Sequence, residues 1–281
     1  MKTTDISIIV TTRNEENHIA SCIQSIKNQR YSQEKIEIII VDNNSTDTTI
    51  EIAQRYTDKI YIYGPERSAQ RNFGVKKSSG KYILYLDADM SLSESVIQEC
   101  FDMCENEGYT ALYIPEKIIG EGFWIAARNF ERSFYNATCI DCVRFIRRET
   151  FLDIGGFDTA LTGPEDWDLN RRINQIGTTG IIGSPLYHNE GAFNFANYLR
   201  KKAYYTHSFR SYIEKWGKDD PIVKKQLGLW YRYFGVFIEN GKWKRLIKHP
   251  LLTIGMYFLR FMVGIQYLRR LQHEKSTWKS F

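Results

Sequence analysis

The sequence contains no internal repeat, no low-complexity tract and no glycine-rich loop behind its first strand-like segment. The first two absences exclude solenoids, propellers and disordered arrays. The third argues against a sugar nucleotidyltransferase, which would be expected to carry such a loop where this chain has "TTRNEEN". No secretory leader is legible: "MKTTDISIIVTTRNEE" turns polar after an apolar run no longer than a strand, which predicts a chain that stays in the cytosol. Cysteine is scarce and odd in number, five in all, which fits reduced thiols better than a disulfide framework. Cys139 and Cys142 form a CxxC, and Cys100 and Cys104 lie four apart on a predicted helix, so the four together could hold zinc. Cys100 and Cys104 also join Val96, Ile97 and Phe101 on one apolar stripe, and core packing is the reading adopted. Long apolar runs are scarce, and Leu251 to Leu268 is just long enough to be considered as a membrane span.

What is present is an ordinary globular composition, 43% apolar and 25% charged over 281 residues, enough for one large domain or a domain with an appendage. The net charge of +5 conceals an asymmetry. Residues Met1 to Glu190 carry 20 Lys/Arg against 28 Asp/Glu, or −8, and Gly191 to Phe281 carry 18 against 5, or +13. The two parts must have different electrostatic partners.

Strand-like and helix-like stretches alternate through the first half, the pattern of a parallel sheet covered by helices. "DISIIVTT", "KIEIIIVD", "DKIYIY" and "KYILYLD" read as strands. "ENHIASCIQSIKNQ" places Ile19, Cys22, Ile23 and Ile26 at helical spacing, and Ser45 or Thr46 is positioned to cap the helix that follows the second strand. Further on, "ALYIPEKII" and "VRFIRRETF" read as strands, "FWIAARNFERSFY" and "WDLNRRINQIG" as helices, and "GIIGSPLYHNEG" as a late strand carrying His188 out to a loop. Ligands of such open sheets collect beyond the carboxyl ends of the strands. Here those ends carry Thr11 to Arg13, Asp42 to Asn44 and Asp87 to Asp89.

In "YILYLDADM", the two-residue strand period puts Ile83, Tyr85, Asp87 and Asp89 on one face. Two carboxylates roughly 6 Å apart repel by about 3 kcal/mol at an effective dielectric near 20. A divalent cation is the obvious compensation, with a turn or helix-capping pair as the plainer alternative.

The ordered set "VTTRNEE", "VDNNSTD", "RSAQRNFG", "LDAD", "RRETFLDIGGFD" and "GPEDWDLNRR", over roughly residues 6 to 190, resembles the inverting family 2 glycosyltransferases of the GT-A fold. The resemblance implies an α/β fold with a mostly parallel central sheet and helices on both faces, to which the residues after 192 add a helical, basic-aromatic C-terminal extension read from their own composition. It implies transfer of a sugar from a nucleotide-diphosphate donor to an acceptor hydroxyl, with Mn²⁺ or Mg²⁺. On this pattern Asp89 is the direct metal ligand and Asp87 lies nearer the ribose. Asp166 is the candidate general base, with Glu165 and Asp168 competing for the role. Thr11, Arg13, Glu15, Asp42 and Asn43 fall where the family meets the nucleoside, and Arg71 with Asn72 matches its donor-contacting pair. His188 is a candidate for the metal or the diphosphate. Two departures leave uracil and guanine both open: Arg13 stands where many relatives have an aromatic residue, and Asn43 where Asp is frequent.

The division expected is a catalytic domain over 1–192 and a helical region over 193–281. The latter interleaves Trp, Tyr and Phe with Lys and Arg, the profile of elements lying in a membrane interface and drawn to anionic lipid. Arg260 falls in the middle of Leu251 to Leu268 and costs roughly 2.5 to 3.5 kcal/mol on the insertion scale, so an in-plane helix is preferred to a span. That placement predicts an enzyme at the inner face of the cell membrane, acting on a glycan or a polyprenyl-linked acceptor. Packing on the catalytic domain or a homo-oligomer interface are the alternatives. Single-stranded nucleic acid also suits basic-aromatic surfaces, but no binding motif accompanies it here. The rival to an enzyme is a nucleotide-binding scaffold that has lost catalysis, a reading disfavoured by the joint presence of Asp87, Asp89 and Asp166.

Overall fold

The computed structural model describes residues 4–205 and 208–278. Its strands are β1 (Ile6–Thr12), β2 (Ile36–Asp42), β3 (Ile60–Ile62), β4 (Tyr82–Asp87), β5 (Met90–Leu92), β6 (Ala111–Tyr113), β7 (Glu116–Glu121), β8 (Phe145–Arg147), β9 (Thr179–Ile181) and β10 (Leu186–Ala192). The helices are α1 (Ile19–Lys27), α2 (Thr49–Gln54), α3 (Arg67–Lys77), α4 (Val96–Asn106), α5 (Phe123–Arg132), α6 (Arg148–Asp153), α7 (Glu165–Ile176), α8 (Phe195–Tyr204), α9 (Phe209–Trp216), α10 (Pro221–Leu227), α11 (Val236–Ile238), α12 (Trp243–Lys248) and α13 (Pro250–Trp278). The chain forms two compact units: one of Met1–Lys117, Ile140–Thr159 and Glu165–Asn189, the other of Ile118–Cys139, Ala160–Pro164 and Glu190–Phe281.

The first unit is built on a seven-stranded sheet of order β3-β2-β1-β4-β8-β6-β9. β1 pairs in parallel with β2 and β4, β2 with β3, and β6 with β9; β8 runs antiparallel between β4 and β6. The sheet is therefore mostly parallel, as the alternating pattern predicts. Its central strands β1, β2 and β4 are buried on both faces because both faces are covered. Ile6, Ile8 and Val10 pack with Ile19, Cys22, Ile23, Val96, Cys100 and Cys104 from α1 and α4. Ile9, Val41, Ile83 and Tyr85 pack on the other face with Val75, Leu169 and Ile173 from α3 and α7. Close approach on that face depends on Gly74 of α3, where a Cβ would meet Ile9 Cγ2 at 2.5 Å.

Strand register sets the functional edge. Thr12 pairs with Asp42, and Thr11 with Asp87, so the three polar strand ends come out level. Strand order reverses at β1, with β2 on one side and β4 on the other, and the crevice at such a switch point is where α/β sheets take ligands.

Several local readings change: "ALYIPEKII" divides into β6 and β7, and "GIIGSPLYHNEG" into β9 and β10, each pair split between two sheets. "VRFIRRETF" gives only the short β8 and then enters α6, which stops at Gly155 and Gly156, both at positive φ. α2 starts later than expected: Asp47, not Ser45 or Thr46, accepts the Thr49 N–H at 3.0 Å, while Ser45 turns back to Asp42. His188 lies within β10, paired opposite Met90 of β5, rather than on a loop.

A buried acid in β2 ties the amino-terminal side of the sheet. Glu37 accepts hydrogen bonds from the Ser7 hydroxyl, from the Ser79 N–H at 2.6 Å and from Lys59 Nζ at 2.5 Å. Burial alone would raise its pKa; the hydrogen bonds from Lys59, Ser7 and Ser79 outweigh it and hold the group down to about 2. A depressed carboxylate contributes stability that is complete above its unfolded pKa and lost as pH falls toward the folded one. Glu37→Gln should therefore cost about 3 kcal/mol at neutral pH. Urea unfolding at pH 7 and pH 3 checks this: the gap to wild type narrows in acid.

The second unit is helical. α5 turns Ile125, Ala127 and Phe130 inward, and its Trp124 ring lies 5.4 Å from that of Phe258 on α13. Tyr198 and Leu199 of α8 pack with Leu259. Arg260 is buried, with Nη1 donating to Glu131 Oε1 at 2.5 Å and to the Tyr135 hydroxyl at 2.6 Å, and Nη2 donating to the Arg232 carbonyl. The charge in the middle of α13 is thus paired inside the protein. Among the described residues no helix is long and apolar enough to cross a membrane.

Candidate functional site

The loops behind β1 and β2 are laced together. The Asn14 N–H donates to Ser45 Oγ at 2.8 Å and the Thr46 N–H to Asn14 Oδ1 at 2.8 Å. The Glu15 N–H donates to Thr49 Oγ1 at 2.8 Å, and Thr48 Oγ1 to Glu16 Oε2 at 2.8 Å. Asn14 and Asn44 both adopt positive φ, which asparagine tolerates better than most residues. Asp42 accepts the Ser45 N–H at 2.7 Å, Asn43 Nδ2 donates to the Pro65 carbonyl at 2.7 Å, and Arg13 is exposed. Glu15 bonds His18 at 2.8 Å; burial and the nearby Asp89 and Asp87 still raise its pKa above the ordinary value.

The end of β4 is compensated by protein cations rather than left bare. Asp87 accepts from Thr11 Oγ1 at 2.9 Å and from Arg71 Nη2 at 2.9 Å, with Arg67 Nη1 at 3.6 Å. Burial would raise Asp87, but the guanidiniums of Arg71, Arg67 and Arg144 override it and hold the carboxyl well below its usual range. Arg71 is itself buried, lying over the Tyr85 ring at 4.6 Å and the Phe157 ring at 5.1 Å. Its other nitrogen, Nη1, reaches Asp166 Oδ1 at 3.1 Å. One planar fork thus connects the end of β4 with the start of α7. Asn72, next in sequence, bonds the Phe157 carbonyl and N–H, both at 2.8 Å, and so fixes the loop behind α6.

Burial separates the three acids of "EDWD". The Asp168 side chain is 0% exposed and bonded to Arg172, and that of Glu165 is 3% exposed and paired with Arg67 at 3.1 Å. Asp166 is 31% exposed. It is the most exposed member of the trio. Burial, and then the neighbouring Asp166, raises the Glu165 pKa.

Asp89 turns to a different partner. Its Oδ2 lies 3.1 Å from His188 Nε2, whose Nδ1 is 3.0 Å from Glu116 Oε1; Arg144 Nη2 in turn donates to Glu116 Oε2 at 3.2 Å. Burial would lower the imidazole pKa, but hydrogen bonds with Asp89 and Glu116 raise it to about 10. Asp89 Oδ1 is buried without a hydrogen-bond partner. Among the described residues no three His, Cys, Asp or Glu side chains are grouped to hold a metal on their own. An orphaned carboxylate oxygen beside an imidazole fits a hard divalent cation that takes most of its ligands from water and a diphosphate.

The structure thus brings Thr11, Arg71, Asp87 and Asp166 into one bonded group, with Asp89 and His188 in a second. Glu116, Arg144 and Arg67 belong to the same networks and escaped the sequence reading. Only Arg67 left a signal, its i, i+4 spacing to Arg71 on α3. Of the cysteines, all free, Cys22, Cys100 and Cys104 are buried in the core.

A family model described as glycosyl transferase family 2 matches residues 7–157. Minor teichoic acid biosynthesis protein GgaB of Bacillus subtilis is 25% identical over 87% of this chain, which spans only 29% of that protein. Glycosyltransferase AglE of Haloferax volcanii is 24% identical over 70% of each. Among solved structures, mannosyltransferase PcManGT from Pyrobaculum calidifontis, in complex with GDP-Man and Mn²⁺, superposes with a TM-score of 0.64 at 18% identity, covering 99% of this chain and 88% of its own. S. aureus TarS 1-349 with UDP-GlcNAc gives 0.57 at 17% identity, covering 92% and 82%. At these identities the structural likeness carries the fold, which is GT-A.

Proposed function

The chain belongs to glycosyl transferase family 2, and from that premise we propose that it is a metal-assisted, inverting glycosyltransferase. It moves a sugar from a nucleotide-diphosphate donor to an acceptor hydroxyl on a glycan or polyprenyl-linked carrier, in surface polysaccharide or glycoprotein glycan assembly. Residues 1–192 carry the transfer site, and the basic region 193–281 places the enzyme peripherally at the inner face of the cell membrane. The observation that carries the catalytic reading is the Arg71 fork, with Asp87 on one nitrogen and Asp166 on the other.

In this reading Asp166 accepts the acceptor's hydroxyl proton while that oxygen bonds to the anomeric carbon. The bond from that carbon to the diphosphate oxygen breaks on the opposite side, so the configuration inverts and a nucleoside diphosphate leaves. Thr11, Arg13, Glu15, Asp42 and Asn43 surround the nucleoside, and Arg71 holds Asp87 ionised beside it. Asp89 would hold Mn²⁺ or Mg²⁺ through its unpartnered oxygen, and His188 would join it only on giving up its Nε2 proton and its bond to Asp89; the ion would supply charge to offset that of the leaving diphosphate. Glu116 keeps the His188 ring oriented from its far nitrogen.

A panel of nucleotide sugars screened with and without Mn²⁺, first for thermal stabilisation and then for release of nucleoside diphosphate, tests the proposal. At least one donor should stabilise the protein more with the metal present and be turned over. Stabilisation without turnover on any acceptor tried would favour the scaffold reading.

A further inference from the structure

We propose that α12 and the first half of α13 form a docking face for an anionic phospholipid bilayer, on which the protein lies in the plane of the membrane. This rests on the peripheral placement proposed above and identifies the surface responsible. On α13, Leu251, Ile254, Phe258 and Phe261 are spaced three, four and three residues apart, which sets them along one face of the helix. A soluble domain would turn such a stripe inward. Here Ile247, Leu251, Ile254 and Phe261 are 71%, 71%, 66% and 61% exposed, while Met256, Leu259 and Arg260 of α13 are buried. Phe258 is half-exposed, with its inner edge against Trp124 and Phe195. Trp243 is exposed four residues before Ile247 on α12.

Charge selects the occupant. From Lys242 to Gln266 the sequence has Lys242, Lys244, Arg245, Lys248 and Arg260 and no acidic residue. Lys244 and Lys248 are exposed beside the apolar side chains. A seam between two copies of this face would bring like charges together with no carboxylate to neutralise them. A bilayer containing anionic lipid supplies the opposite charge at its surface and an apolar layer just beneath it, the two things this face offers to meet. Pairing of Arg260 with Glu131 and Tyr135 turns that charge away from the layer and ties the inner side of α13 to α5, so the helix offers only its outer stripe to the bilayer.

The test is co-sedimentation of the full chain with phosphatidylcholine vesicles, with and without phosphatidylglycerol, at low and high salt. Binding should be about tenfold or more tighter to the anionic vesicles and weaken at high salt. The pair Leu251→Gln with Ile254→Gln, exposed positions that leave the core intact, should lose about tenfold in binding. Lys244→Glu with Lys248→Glu should abolish the preference for anionic lipid. Equal binding to both vesicle types, or full binding by the Gln pair, overturns the proposal. So does a wild-type dimer in sedimentation velocity that the Gln pair dissociates. Release of nucleoside diphosphate without vesicles, measured on the same samples, should be unchanged in the Gln pair. A wild-type chain that binds neither vesicle type yet releases nucleoside diphosphate removes only the membrane face and leaves the transfer reading standing.

Discussion

Asp166→Asn should retain donor affinity and lose turnover by roughly 10²- to 10⁴-fold, the usual range for removal of a general base. The substitution suits the site. An asparagine carbonyl oxygen can still accept from Arg71 Nη1, so the fork to Asp87 and the start of α7 should keep their positions. What it cannot do at neutral pH is take up a proton. Calorimetric binding of the donor nucleotide and steady-state release of nucleoside diphosphate together check the split. Turnover within a few-fold of wild type would remove Asp166 as the base. The neighbouring acids give a comparison: Glu165 and Asp168 are each committed to an arginine and sealed from solvent, so neither is placed to substitute.

Arg71→Met should be the most disruptive single change in the first unit. It leaves the ring contacts with Tyr85 and Phe157 partly filled but removes the cation that holds both Asp87 and Asp166. Breaking a buried ion pair by deleting one partner typically costs about 3–5 kcal/mol, because the remaining charge is left in a poorly solvated site. The sign with pH follows from Asp87. Its depressed pKa contributes stability above the ordinary carboxylate range, and that contribution fades as pH falls. The deficit of the variant should therefore be largest near neutrality and shrink in acid. Thermal unfolding at several pH values measures it. A double-mutant cycle with Asp87→Asn separates pairing from packing: coupling of the two should return part of the loss. Strict additivity would show that the pair is not energetically linked.

Much of this arrangement was legible beforehand, and the legible part is the part set by local periodicity. Apolar runs such as Ile6 to Val10 and Ile38 to Val41 predict strands buried on both faces, and the polar residues at their ends come out level because parallel strands keep a common direction. What stayed hidden was the choice of partners. Repulsion at "DAD" called for a positive charge, and a cation was the natural guess; the folded chain supplies Arg71 and Arg67 to Asp87 and His188 to Asp89. Asp87 follows Tyr85 in β4, whereas Asp89 lies past the strand's end, so the shared-face argument does not extend to it. Glu116 and Arg144 gave no warning, since a single acid or base near a short strand reads as a solvated charge until its neighbours are known. Late secondary structure was harder to read for the same reason: β8 and β9 are three residues each, formed by the strands beside them rather than by propensity.

The stitching between Asn14, Glu15 and Glu16 on one side and Ser45, Thr46, Thr48 and Thr49 on the other has an evolutionary cost. Neither segment can be exchanged without unsatisfying polar groups in the other. On the proposed donor site, a switch of nucleobase preference would accordingly require correlated replacement of both segments.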